Sequence, residues 1–247
     1  MGRFIMLAGP SCVGKGPLVR ALAKLHPNIA ENIQKVVLYN DRDRRPGEVD
    51  GIDYHFVKNI QGLSDGEYIK MEIRPGNWQA LKIADITQAM QSGKIGFLEV
   101  FHKLGAEAAK HQALRDHFTK GEVCTVFLSP LSKEDISFLK SKGSDLKAVV
   151  TDVMRKKLLR RTSKQKGILS LKDLEDVEKR CSTAFEEIQS AHHYTRIIAN
   201  HDGEDSDNWD QFPFPIGDAR KSVKAFAEIC NGGRALECEQ WSSEMLE

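Results

Sequence analysis

A chain of 247 residues, 40% of them hydrophobic, is long enough to bury one large α/β core, or a core with a smaller lobe. Its charges nearly cancel, leaving a formal net charge of +1, which argues against nucleic acid or an anionic membrane surface as the main partner. Five cysteines, at 12, 124, 181, 230 and 238, form no Cys-x-x-Cys pair, so neither a zinc site nor a disulfide framework is indicated, and free thiols in a reducing, cytoplasmic setting are expected.

In chain order, Phe4–Ala8 is apolar throughout and reads as a buried strand. The run is far short of the roughly 18 apolar residues of a spanning helix, and it feeds a glycine-rich turn where a signal peptide would carry a cleavage site. A helix over 17–24 ends at His26-Pro27, and 35–39 reads as a second strand. The alternation in 51–57 and 68–73 predicts two more short strands, with a short helix between them over 60–68. Residues 36–85 therefore form a small β-rich lobe set into a core made of 1–35 and 86–230.

Helix-like periodicity follows over 81–92, a buried strand over 95–101, a helix over 105–118 and a strand over 123–128. Ser132 to Asp135 is a capping box for a helix over 136–140. Residues 145–161 and 171–192 read as long helices separated by a polar, mobile loop over 162–170, and the last clear strand is 195–199. An acidic loop over 201–210, a closing helix over 218–230 and a tail over 231–247 complete the chain. Strands alternating with helices predict a central parallel sheet with helices on both faces, a three-layer α/β fold.

The chemistry starts at the first turn. Gly9, Pro10, Ser11, Cys12, Val13, Gly14, Lys15 and Gly16 spell Gly-x-x-x-x-Gly-Lys between a strand and a helix. Glycines let backbone N–H groups curl inward around one anion, the helix N-terminus adds partial positive charge, and Lys15 adds a full one. This is a phosphate-binding loop, expected to hold a nucleotide phosphate. Its next position normally carries a Ser or Thr hydroxyl for Mg²⁺; here it is Gly16, which weakens that metal site and leaves the metal ligands unknown. A second cluster, Arg42, Arg44 and Arg45 before Pro46-Gly47, offers guanidinium forks suited to another phosphate.

Together these residues resemble the guanylate kinase family. The Gly9-Pro10-Ser11 loop, followed by Arg42-x-x-Arg45-x-Gly47-Glu48-x-x-Gly51-x-Asp53-Tyr54-x-Phe56, follows its pattern. The resemblance implies a P-loop NTPase fold: a core that binds ATP, a β-rich lobe that binds a nucleoside monophosphate, and a helical lid around 155–182 that closes over both. It implies that Arg42, Arg45 and Tyr54 grip the acceptor phosphate. It further implies that Lys15, Arg161 and Arg180 stabilise the transferred phosphoryl group, and that Asn200 lies near ATP.

The departures fall where the family reads guanine. Lys70 stands at the position of a base-reading Glu, with Glu72 two residues on along the strand as a candidate substitute. Gln79 and Leu81 replace a Tyr and a hydroxyl residue. Glu99 keeps one acid of the Asp-x-Asp pair and Phe101 removes the other. The expected activity is ATP-dependent phosphorylation of a small phosphorylated acceptor, GMP by default. The alternatives are a phosphosugar kinase resembling ribose 1,5-bisphosphate phosphokinase, and a non-catalytic binding module. The segment 131–148 is an insertion relative to the family pattern.

Overall fold

The computed structural model describes residues 3–44, 47–233 and 235–246. Its elements are β1 (Phe4–Ala8), α1 (Lys15–Leu25), α2 (Pro27–Glu31), β2 (Ile33–Lys35), β3 (Tyr39–Asn40), β4 (His55–Phe56), β5 (Tyr68–Arg74), β6 (Asn77–Lys82), α3 (Ile83–Gln91) and β7 (Ile95–Glu99). Then come α4 (His102–Lys110), α5 (Gln112–Thr119), β8 (Val123–Ser129), α6 (Lys133–Ser141), α7 (Leu146–Lys166), α8 (Leu171–Gln189), β9 (Arg196–Ala199), α9 (Gly217–Cys230) and β10 (Cys238–Glu239). No helix among the described residues is long and apolar enough to cross a membrane.

The chain divides into two compact units. The first comprises the segment up to Ala8 and Asn32–Thr125. In it β1 and β2 both run parallel to β7, in register Phe4↔Gly96 and Ile33↔Ile95, and the Phe4 N–H donates to Glu122 O at the entry to β8. All five residues of β1 are buried, which suits a strand covered on both faces. Gly96 is required here, because a Cβ on it would lie 2.3 Å from the Phe4 ring. The same unit carries a separate four-stranded sheet in the order β4-β3-β6-β5.

The second unit comprises Gly9–Glu31 and the chain from Val126 onward. There β8 runs parallel to β9, in register Val126↔Arg196, and β10 joins antiparallel to β9. Val126, Phe127, Leu128, Ile197, Ile198 and Phe226 are each at most 2% exposed and form its core.

Several local expectations are corrected. The stretch 35–39 is not one strand: β2 ends at Lys35, the Val36 N–H still donates to Phe97 O, and β3 begins the other sheet at Tyr39. Residues 60–67 form turns instead of a helix, closed by Leu63 N–H to Ile60 O and Glu67 N–H to Ser64 O, as Gly62 and Gly66 allow. Of 51–57 only His55–Phe56 is strand. The helix expected over 105–118 is two, broken at His111, whose ring accepts the Ala113 N–H as a cap. The mobile loop expected over 162–170 is largely helix: α7 continues to Lys166 and turns at Gly167, whose φ of 73° is left-handed. The tail re-enters the sheet as β10.

Candidate functional site

The loop after β1 belongs to the second unit, and its shape follows from glycine. Gly9 has φ 145°, and a Cβ there would lie 2.4 Å from Leu128 O. Gly14 has φ 110°, and a Cβ would meet Asn200 Nδ2 at 2.7 Å. A side chain at either position would push the loop off its support. The Lys15 ammonium folds back to donate to Gly9 O at 2.7 Å and Pro10 O at 3.1 Å. Leu18 N–H donates to Gly14 O, so α1 opens at the loop with its first-turn N–H groups turned toward the loop end. Cys12 is buried with φ 69°; burial, with Glu204 adding, pushes its thiol up to about 12, so it is an inert part of the wall.

Asn200, at the end of β9, is fully buried. Its Nδ2 donates to Val13 O at 2.8 Å and to Asp202 O at 2.7 Å, so it holds the loop from behind. The segment that follows was legible only as an acidic loop, yet it is tightly built. Asp202 accepts from Ser206, Asn208 and the Ala219 N–H at the start of α9, and the Trp209 indole donates to Asp202 O and Gly203 O. Glu204 N–H donates to Cys12 O at 3.0 Å, and its carboxylate accepts from Arg161 Nη1 at 3.0 Å. Sequence reasoning missed Asp202, Glu204 and Trp209. The one signal available was the density of acids directly after a strand that ends in Asn.

Arg161 on α7 and Arg180 on α8 are both largely buried, at 17% and 12% side-chain exposure. Arg180 pairs with Asp176 one turn back at 2.8 Å. The Nε of each is buried without a hydrogen-bond partner among the described residues. Arg155 ties the two helices with a bidentate bond to Glu178, at 2.6 and 2.9 Å. Gly16 sits in the first turn of α1, and a Cβ there would meet only the end of the Arg20 side chain, at 3.3 Å.

The first unit carries the arginine cluster. Arg42 donates to both Glu48 oxygens, at 2.8 and 2.5 Å, and its guanidinium lies 5.3 Å from the Tyr54 ring centroid and 5.6 Å from that of Phe56. The long motif thus has a physical basis. Gly47 and Gly51 take φ of 85° and 77°, the Asp53 carboxylate accepts the Val49 N–H, and Glu48, Tyr54 and Phe56 fix the arginine. Arg45 lies outside the described residues.

Tyr54, Glu99, Glu48 and Asp53 line a cavity of about 150 Å³ with Lys35, Val36 and Leu38. Burial, and then Glu99, raise the Tyr54 hydroxyl above its usual value, so the phenol stays protonated. Glu72 lies elsewhere: it is exposed and its carboxylate accepts the Gly76 N–H at 2.8 Å in the β5–β6 turn. Lys70 is turned into the 61–65 turn, donating to Gln61 O and Leu63 O and pairing with Asp65 at 2.6 Å. Leu81 is fully buried, and the Phe101 ring packs on His102.

A glycine-built phosphate cradle opening a helix, backed by parallel strands and closed by its own lysine, defines a P-loop nucleotide-binding protein. The profile of the guanylate kinase family matches residues 1–188, and the chain belongs to that family. It is 28% identical to the guanylate kinase of a Nostoc species over 207 residues, 82% of this chain and 84% of that one. It is 32% identical to the guanylate kinase of Idiomarina loihiensis over 160 residues, 63% of this chain and 71% of that one. Its fold is similar to the crystal structure of guanylate kinase from Anaplasma phagocytophilum, with a TM-score of 0.53 at 19% identity, covering 94% of this chain and 85% of that one.

Proposed function

We propose that the chain transfers the terminal phosphoryl group of ATP to the phosphate of GMP, giving ADP and GDP. The observation that carries this reading is the loop itself, in which Gly9 and Gly14 take left-handed backbone angles and lie against their support more closely than any side chain permits, with Lys15 folded over it. ATP bound there supplies the phosphoryl group. Lys15 would exchange two backbone carbonyls for phosphate oxygens, a charge-assisted bond worth about 1.5–3 kcal/mol.

Phosphoryl transfer needs little covalent help from a protein and much positive charge in the right place. In this reading Lys15, Arg161 and Arg180 supply that charge, while an acceptor phosphate oxygen attacks and the bond from the transferred phosphorus to the ADP oxygen breaks. Arg42, held flat by Glu48 and the Tyr54 and Phe56 rings, would take the acceptor phosphate, and Arg45 is assigned with it on the family pattern alone. Position 16 offers no side-chain oxygen, and among the described residues no group of three or more His, Cys, Asp or Glu could hold a metal ion. Mg²⁺ bound with ATP would take the phosphates and water as its main ligands, with at most one or two protein oxygens.

A second reading of the acceptor, a phosphosugar, is favoured by the cavity beside Tyr54. It measures only about 150 Å³, is lined by the three carboxylates of Glu48, Asp53 and Glu99, and matches hydroxyl groups at least as well as a purine. Turnover of ATP against GMP, other nucleoside monophosphates and ribose 1,5-bisphosphate separates the two. GMP phosphorylated fastest supports the first; ribose bisphosphate phosphorylated with GMP inert replaces it with the second. Turnover of no acceptor overturns both and leaves a binding module.

A further inference from the structure

We propose that Glu204 is a positioning residue of the ATP site, holding the Arg161 guanidinium at the phosphate loop before nucleotide arrives. The inference rests on the reading of Arg161 as a donor-side arginine. Glu204 is bound at both ends. Its N–H donates to Cys12 O inside the loop at 3.0 Å, and its Oε2 accepts from Arg161 Nη1 at 3.0 Å. One residue thus joins α7 to the phosphate loop.

The backbone beneath it has little freedom. A Cβ on Gly203 would lie 2.5 Å from Cys12 O, so the chain here is pressed against the loop more closely than any other residue permits. Asn200 anchors the segment on the near side through Val13 O. Asp202 anchors it on the far side, through the Ala219 N–H and the Asn208 amide. Arg161 is only 17% exposed, and its bond to Glu204 engages Nη1 while Nη2 makes no hydrogen bond among the described residues. A guanidinium carries five donors, so the pair fixes the fork without saturating it. An arginine held in place loses less conformational freedom when a phosphate arrives than one free in solvent.

The test is a double-mutant cycle read by calorimetric ATP binding to the full chain, using Glu204→Ala, Glu204→Gln, Arg161→Ala and the double variant Glu204→Ala/Arg161→Ala. Glu204→Ala is expected to weaken ATP binding about tenfold, and Glu204→Gln, which keeps an acceptor oxygen, by about threefold or less. In the Arg161→Ala background, Glu204→Ala should cost nothing further. Additive losses would mean that Glu204 only braces the 200–209 loop, and tighter ATP binding by Glu204→Ala would mean that it competes with phosphate; either result overturns the proposal. Coupled ATP binding without phosphorylation of any acceptor would remove the proposed activity and leave this inference standing. Absence of ATP binding by the wild-type chain would remove both.

Discussion

At the residue scale the most informative position is Gly16. It is the one residue of the phosphate loop whose departure from the usual pattern removes a ligand atom and leaves the backbone shape unaffected. A Cβ there meets nothing nearer than the flexible tip of Arg20 at 3.3 Å, so a hydroxyl can be restored without disturbing the cradle. Gly16→Ser is therefore expected to tighten ATP binding in the presence of Mg²⁺ and to leave metal-free binding unchanged; calorimetry in both conditions checks it. The loop glycines, Lys15 and the spacing from Arg42 to Phe56 were legible because each is demanded by backbone sterics or a local bond. Glu204 was not legible. Its role depends on two partners, Cys12 and Arg161, that are far from it in sequence and are brought to it only by the fold. Glu72 was drawn into the candidate acceptor set by alternation along its strand, but alternation fixes a face of the sheet and says nothing of distance from Tyr54. The turn closed by Gly76 holds its carboxylate.

At the element scale the segment around α6 and the tail hold one another in place. The Glu239 carboxylate of β10 accepts the Lys133 N–H at the start of α6, and Lys140 reaches Glu244 O. Trp241 is 7% exposed and donates to Glu239 at 2.7 Å. Trp241→Ala should lower stability by about 3–5 kcal/mol, as for other buried aromatic truncations, measured as a fall in the urea midpoint.

The same α6 touches the segment behind the phosphate loop through His201, whose Nε2 meets Asp135 of α6 at 2.7 Å and whose Nδ1 meets Asp218 of α9 at 2.5 Å. Both ring nitrogens can donate only when the ring is charged. Burial opposes that charge, but the bonds to Asp218 and Asp135 win and raise the His201 pKa above 6.5; the two carboxyls are held below 3.8 by their hydrogen bonds despite burial. The imidazolium therefore stabilises the fold below pH 6.5 and ceases to do so as pH rises through its raised pKa. The carboxylates stabilise it above pH 3.8 and cease to do so as pH falls through their lowered values. Lys157, which donates to His201 O, and Lys221, paired with Asp218, also face the cluster. The stability gap between wild type and His201→Gln should be widest between these limits and narrow toward alkaline pH, as thermal melts across a pH series would record. A gap that grows as pH rises above 6.5 would contradict this assignment. The helices and buried strands here were readable from period and caps. The polar end of α7 was not, because Thr162 and Lys164 make tertiary and helix bonds that composition does not reveal.

At the scale of the whole molecule, the proposed function divides its chemistry between the two units: the glycine loop, Lys15, Arg161 and Arg180 lie in one, the fixed Arg42 in the other. The alternation of strand and helix made the α/β class legible. The division of the strands between two sheets was not, since β2 and β3 follow each other within a few residues and differ only in which neighbours they find. In the proposed reaction the glycine loop and Lys15 deliver a phosphoryl group to GMP. The most direct measurement is the fate of a γ-phosphoryl label when ATP, Mg²⁺ and GMP are incubated with the wild-type chain and with Lys15→Ala. The label is expected on the β-phosphate of GDP with the wild type, and with Lys15→Ala at a rate lower by about tenfold or more. Label remaining on ATP, or released only as inorganic phosphate, would contradict the claim.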